Sequence, residues 1–203
     1  MYRIIITLIS IFLLFNSAWG LAAEVDSSNP YSMVEQVARN TFSRLTSERE
    51  QIKQDPLLIN KVVEQELIPY LDYRFAALKI LGKYYRQYPL EKINQYTEVF
   101  KTYSASVFAN ALHYYQDQAV EFEPAREFNN QKQTTVRLNI NQGSNSINLA
   151  FVVRKDTKTE QWRVYDVVAE GISMLSSLQS QFEPILRKEG IEAVMKTMRN
   201  TKD

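Results

Sequence analysis

Few residues of this chain have the side chains for chemistry. Asp166 and Glu170 stand four apart in "WRVYDVVAEGISMLSSLQSQF" (residues 162–182), a stretch that reads as strand, glycine, then helix. Strict alternation along the strand puts Asp166 on one face with Trp162, Val164 and Val168. A carboxylate there is costly to bury unless it is hydrogen-bonded or paired. In a functional reading, Asp166 is a general base poised in an apolar cavity. In a structural reading, it pairs with an arginine such as Arg137, Arg154 or Arg163, or caps the helix that starts near Ile172. The structural reading is favoured, because no histidine and no second convergent acid accompanies Asp166.

The rest of the inventory excludes more than it offers. His113 is the single histidine, so a multi-histidine metal site and a Ser-His-Asp arrangement are poorly supported. Beside Tyr114 on a long helical segment, it is read as structural or solvent-facing. Gly82, Gly143, Gly171 and Gly190 stand alone, far from any phosphate-cradling spacing, so no nucleotide and no other cofactor is expected. There is no cysteine, which removes thiol chemistry and leaves the fold to its core.

The N-terminus points to export. A short basic start precedes "IIITLISIFLLF" (residues 4–15), and small, then polar residues follow. That order is a secretory signal peptide, taken as residues 1–22, with cleavage after Gly20 or Ala22. The apolar run is shorter than the ~20 residues of a membrane-spanning helix. Residues 23–203 are then expected to form one exported, soluble domain with a sizeable core. The chain has 24 Lys+Arg and 23 Asp+Glu, and the signal segment takes Arg3 with it. A mature net charge of zero argues against nucleic acid as a partner.

Hydrophobic spacing supplies the elements. Helical periodicity covers Val34 to Leu45, then Leu58 to Ile68 with Asp55 as N-cap and Pro56 at the first helical position. It continues over Phe75 to Tyr84 and over Ile93 to Tyr115, the last opened by Pro89. After Pro124 the period becomes two: "TTVRLNINQ", "INLAFVVRK" and "WRVYDVVAE" form a three-stranded meander, with "AVEFEP" a fourth strand. From Ile172 a helix returns with Ile172, Leu175, Leu178 and Phe182 on one stripe. Gly190 breaks it before a last short helix. The pattern is α+β: a curved antiparallel sheet of about four strands covered by helices.

Several segments, in order, resemble the MlaC family, also described as toluene-tolerance auxiliary proteins. They are "NPY", "VVEQELIPYLDYRFAALKILGKYY", "WRVYDVVAEGISM" and "FEPILRKEGIEAVM", spanning roughly residues 29–198. The resemblance implies an NTF2-like cone with an apolar pocket that takes the acyl chains of a phospholipid and leaves the head group at the mouth. It implies a periplasmic carrier rather than an enzyme, working between an outer-membrane MlaA–porin complex and MlaD of an inner-membrane ABC transporter.

On that reading the pocket residues are Val136, Leu138, Leu149, Phe151, Val164, Val168, Ile172, Met174 and Leu175. Leu67, Tyr70, Phe75, Leu81, Phe100 and Tyr103 stand opposite them. About half are expected to line the pocket and the rest to be core. Arg74, Lys79, Arg154 and Arg163 are candidate head-group or docking contacts, and Glu170 a cap or rim residue. The competing hypothesis is an isomerase- or hydrolase-like enzyme with Asp166 as base. A two-lobed solute receptor ranks lowest, because neither a lobe boundary nor a polar cluster is visible.

Overall fold

The computed structural model describes residues 25–143 and 145–200; the expected signal segment lies outside them. Helix α1 (Pro30–Ser47) starts where Asn29 accepts from the amides of Tyr31 and Ser32, with Pro30 in its first turn. Helices α2 (Arg49–Gln54) and α3 (Leu58–Glu66) follow. Asp55 does not cap α3. Its carboxylate accepts from Leu57 N, forming a turn through Pro56, and the helix begins at Leu58. A 3-10 turn (Ile68–Tyr70) leads to α4 (Tyr73–Leu81), capped by Asp72, and a second 3-10 segment (Gly82–Gln87) ends it. The long α5 (Leu90–Leu112) opens after Pro89.

The sheet is an open, curved antiparallel meander of five strands in chain order. These are β1 (Ala119–Phe122), β2 (Gln133–Gln142), β3 (Asn145–Lys155), β4 (Trp162–Ala169) and β5 (Ile172–Ser173). The fifth strand falls where helix was expected from Ile172. Glu170 and Gly171 both have positive φ, +49° and +81°, as a two-residue type I′ hairpin requires. Ile172 therefore pairs with Ala169, and α6 (Met174–Lys188) begins after Ser173. Helix α7 (Ile191–Asn200) closes the described chain.

One irregularity decides which strand residues face where. Val152 pairs with Asp166 and Val153 with Val164, so Tyr165 is an extra residue in β4. Side chains alternate with period two, so the insertion reverses the faces beyond it. Trp162 and Val164 point to one side, Val167 and Ala169 to that same side, and Asp166 and Val168 to the other. The expected common face of Asp166, Trp162, Val164 and Val168 is thus corrected. The register shift also frees the Val164 carbonyl, which accepts from Asp72 N at 2.7 Å and ties the segment before α4 to the strand.

Helices α4, α5, α6 and α7 share one core around Tyr96, Phe182, Leu81 and Met195. A second core joins α1 to the sheet through Met33, Val136, Val153 and Trp162. Helix α3 packs against both α1 and α5, with Val62 and Val63 fully buried between them. Gly171→Ala is expected to destabilise the protein by ~1 kcal/mol in urea denaturation, from left-handed backbone strain alone, because no atom lies within 4 Å of the added Cβ. Gly171→Asn should cost less. Equal costs would sink the turn assignment.

Candidate functional site

Helices α1 and α5 are bridged by α3 at one side, and between them and the sheet the chain leaves a cavity of about 530 Å³. That volume falls within the roughly 300–1,000 Å³ of small-molecule sites. The sheet provides the floor: Leu138 pairs with Leu149 and Ile140 with Ile147, all on one face, with Phe151 beside Val167. Helix α1 contributes Met33, Val34, Val37 and Phe42, and α5 contributes Val107, Phe108 and Leu112. The deep end is formed by fully buried Met33, Val34 and Leu138. The lining becomes exposed at Ala111, Tyr114 and Ile147, which marks the mouth at the C-terminal end of α5 and the tip of the β2–β3 hairpin.

Among the described residues, no charged side chain lines this cavity. Its polar atoms are the Thr41 hydroxyl, the Tyr70, Tyr114 and Tyr115 hydroxyls and the Gln118 amide. Thr41 is 2% exposed and its hydroxyl donates back to Val37 O at 2.7 Å, so that donor is satisfied within α1. Such a lining has no ionic group with which to fix a charged or transition-state ligand. It offers apolar area, which favours hydrocarbon.

The loop at the mouth is braced from outside. Asp117 has positive φ, accepts from the Thr46 hydroxyl, and pairs with Arg49 of α2. Those hydrogen bonds, Thr46 first and then Arg49, hold its carboxyl below the ordinary value of 3.8. The brace is therefore complete at neutral pH and is lost only as pH falls below that value. Phe42 stacks on Tyr115 with ring centroids 4.5 Å apart, tying α1 to the same loop.

Asp166 sits elsewhere. One carboxylate oxygen accepts from the Ser173 hydroxyl at 2.6 Å and the other from Leu175 N at 2.9 Å. Ser173 in turn accepts from Ser176 N. Asp166 is thus the anchor of the α6 N-terminus, the capping alternative of the sequence reading, and it does not border the large cavity. Each of its oxygens already accepts a hydrogen bond from the start of α6, and of the two cavities it borders only the smaller. Glu170 accepts from the backbone amide and side chain of Asn148 and pins the hairpin turn at the rim. His113 is exposed, edge-on to Tyr114.

Of the residues expected at the pocket, Leu67, Tyr70, Leu138, Leu149, Phe151, Val164 and Met174 line the large cavity. Phe100, Tyr103 and Leu175 line a smaller one next to it, which Val164 and Met174 also border. The other five lie elsewhere. Leu81 and Val136 are closed into the two cores, at 0% and 2% exposure. Phe75 packs edge-on to Tyr165 under the Arg154 guanidinium. Val168 lies on the far face because of the extra residue in β4. Ile172 shares the cavity face but stands at the sheet edge, 66% exposed.

The four candidate cations are engaged outside both cavities. Arg154 pairs with Asp72, Arg74 donates to Asn94, Arg163 donates to Pro69 O, and Lys79 lies over Phe75. The sequence reading missed the whole α1 contribution and the Val107–Leu112 face of α5. The signal was present in the wide apolar stripes of Val34–Leu45 and Tyr103–Tyr115, but nothing in a stripe says whether it meets protein or empty space.

The fold is shared with known proteins. The MlaC protein family model matches residues 35–200. The chain belongs to the MlaC family. It is 31% identical over 179 residues to the intermembrane phospholipid transport system binding protein MlaC of Haemophilus influenzae, covering 87% of this chain and 84% of that protein. It is 23% identical over 167 residues to the toluene tolerance protein ttg2D of Pseudomonas putida, covering 82% and 77%. The fold matches that of a phospholipid-binding protein from Ralstonia solanacearum, solved in complex with a phospholipid. The TM-score is 0.76 at 19% identity, over 86% of this chain and 97% of that one.

The altered faces of β4 in this MlaC-family chain give a direct test. Val167→Asp places a carboxylate in the cavity and is expected to abolish uptake of a fluorescent fatty-acyl probe. Val168→Asp, one residue on, is expected to retain uptake within about twofold. Equal loss in both variants would contradict the register.

Proposed function

We propose that this protein is a phospholipid carrier that sequesters acyl chains in the large cavity and leaves the head group at the mouth. The observation that carries the reading is the uncharged, apolar lining of a 530 Å³ space that opens at one end. Each methylene moved from water into such a space contributes about 0.8 kcal/mol. A carrier crossing an aqueous compartment must hold that area continuously, and a buried cavity does so where a surface groove would not. Membership in the MlaC family and the phospholipid in the Ralstonia structure point to the same cargo class.

The finer reading follows the family. The chain is exported by residues 1–22, acts in the periplasm without a cofactor, and exchanges lipid between an MlaA–porin complex at the outer membrane and MlaD of an inner-membrane ABC transporter, so maintaining lipid asymmetry. A near-neutral mature charge favours contacts that release, as a shuttle with two docking partners requires. Among the described residues, no helix is long and apolar enough to cross a membrane. Against the enzyme alternative stands the structural use of Asp166, whose two oxygens each accept a hydrogen bond at the α6 N-terminus.

The test is native mass spectrometry of the protein taken directly from periplasm, with lipid identification. The expected result is a phospholipid adduct near one to one. Because no charged residue lines the cavity, zwitterionic and anionic head groups should exchange onto the protein with affinities within about tenfold. A bare mass that refuses added phospholipid would overturn the reading.

A further inference from the structure

The large cavity has a smaller neighbour of about 60 Å³, set among α4, α5, α6 and β4. Six residues line both: Leu71, Val107, Phe108, Val164, Val167 and Met174. The two spaces are therefore separated by a wall one side chain thick. We infer that they are two compartments of one chamber, and that Phe108 and Met174 form a movable partition through which the end of a longer acyl chain passes into the smaller compartment. This rests on the carrier reading and adds to it a determinant of chain length.

The partition has the right parts to move. Four of its six residues are branched aliphatics, and Val164 and Val167 are also fixed in the strand. Met174 is the unbranched one, at the first position of α6, with a thioether whose rotamers adapt at small cost. Phe108 is half-buried between the two spaces rather than closed into a core. The backbone behind Met174 is held fast, because Asp166 anchors Ser173 and Leu175 on either side of it. The side chain can swing without the helix moving.

The smaller compartment suits hydrocarbon. Phe100, Tyr103, Leu175 and Leu178 supply its surface, and burial pushes the Tyr103 hydroxyl up from its ordinary value. The two carboxylates at its edge are already satisfied, Asp72 by Arg154 and Phe75 N, Asp166 by Ser173 and Leu175 N. Its volume exceeds the roughly 10–15 Å³ a single water needs, yet its lining offers water few free partners. Chain termini fit that description.

Ser104 on α5 borders the smaller compartment and not the larger, so it separates the two ideas experimentally. The measurement is the dissociation constant of a series of saturated phosphatidylglycerols of increasing chain length for the mature protein and two variants, by displacement of a fluorescent lipid. Wild type is expected to bind more tightly as the chains lengthen.

Ser104→Leu, which fills the smaller compartment, is expected to leave the shortest lipid unchanged. It should weaken the longest by about tenfold, which is what burial of roughly two methylenes contributes. Met174→Ala, which thins the partition, is expected to shift the preference toward longer chains, and it decides the matter if Ser104→Leu fails to fold by circular dichroism. Parallel length profiles in all three proteins would overturn the partition while leaving the carrier intact. Failure of wild type to bind phosphatidylglycerol of any length would overturn the carrier reading, and the partition with it.

Discussion

The extra residue at Tyr165 is the constraint on which the rest of the architecture depends. Strand side chains alternate with period two, so a single inserted residue exchanges the two faces of everything beyond it. Before the insertion, Trp162 and Val164 face α1. After it, Val167 and Ala169 continue the same apolar surface toward the mouth, and Asp166 is turned outward to meet Ser173 and Leu175. Without it, Asp166 would enter the cavity floor and α6 would lose its anchor. The same irregularity exposes the Val164 carbonyl to Asp72 N, so the segment leading into α4 is positioned by it too.

A cavity of this size persists because the surrounding elements cannot collapse into it. Protein interiors are close-packed, and apolar walls left apart forfeit contacts they would otherwise make. Here α3 is wedged between α1 and α5, and the stack of Phe42 on Tyr115 with the Asp117 brace holds the open end. The two compact cores, around Tyr96 and Phe182 on one side and Trp162 on the other, carry the stability.

Much of the fold was legible in the sequence, because it rests on period. The four helical stripes before Pro124, the three alternating strands after it and the break at Gly190 are each written in residue spacing. What escaped was set by single contacts or by absence. The turn at Glu170–Gly171 converts Ile172 from a helix residue to an edge-strand residue, and only the paired positive φ values show it. The insertion in β4 is invisible in "WRVYDVVAE", where either alternation leaves valines on both faces. The cavity itself was legible only as an excess of apolar surface. Leu81 and Leu67 look alike in a helical stripe, yet the first is sealed in a core and the second borders empty space, since that difference depends on what lies opposite.

The uncharged lining bears on how a carrier releases its cargo. A ligand held by a buried ion pair must break that pair and leave a charge unpaired, a cost of several kcal/mol concentrated in one step. A ligand held by apolar area gives it up methylene by methylene, and each step can be matched by burial in whatever receives it. Affinity can then be high in water and the transfer barrier low at a docked partner. The same physics makes volume, rather than polar recognition, the means by which such a protein distinguishes its cargo. A partition carrying one phenylalanine and one methionine between two apolar spaces is therefore where discrimination among lipids would have a physical basis, since no charged residue lines the larger space and the two carboxylates at the edge of the smaller one are already hydrogen-bonded within the protein.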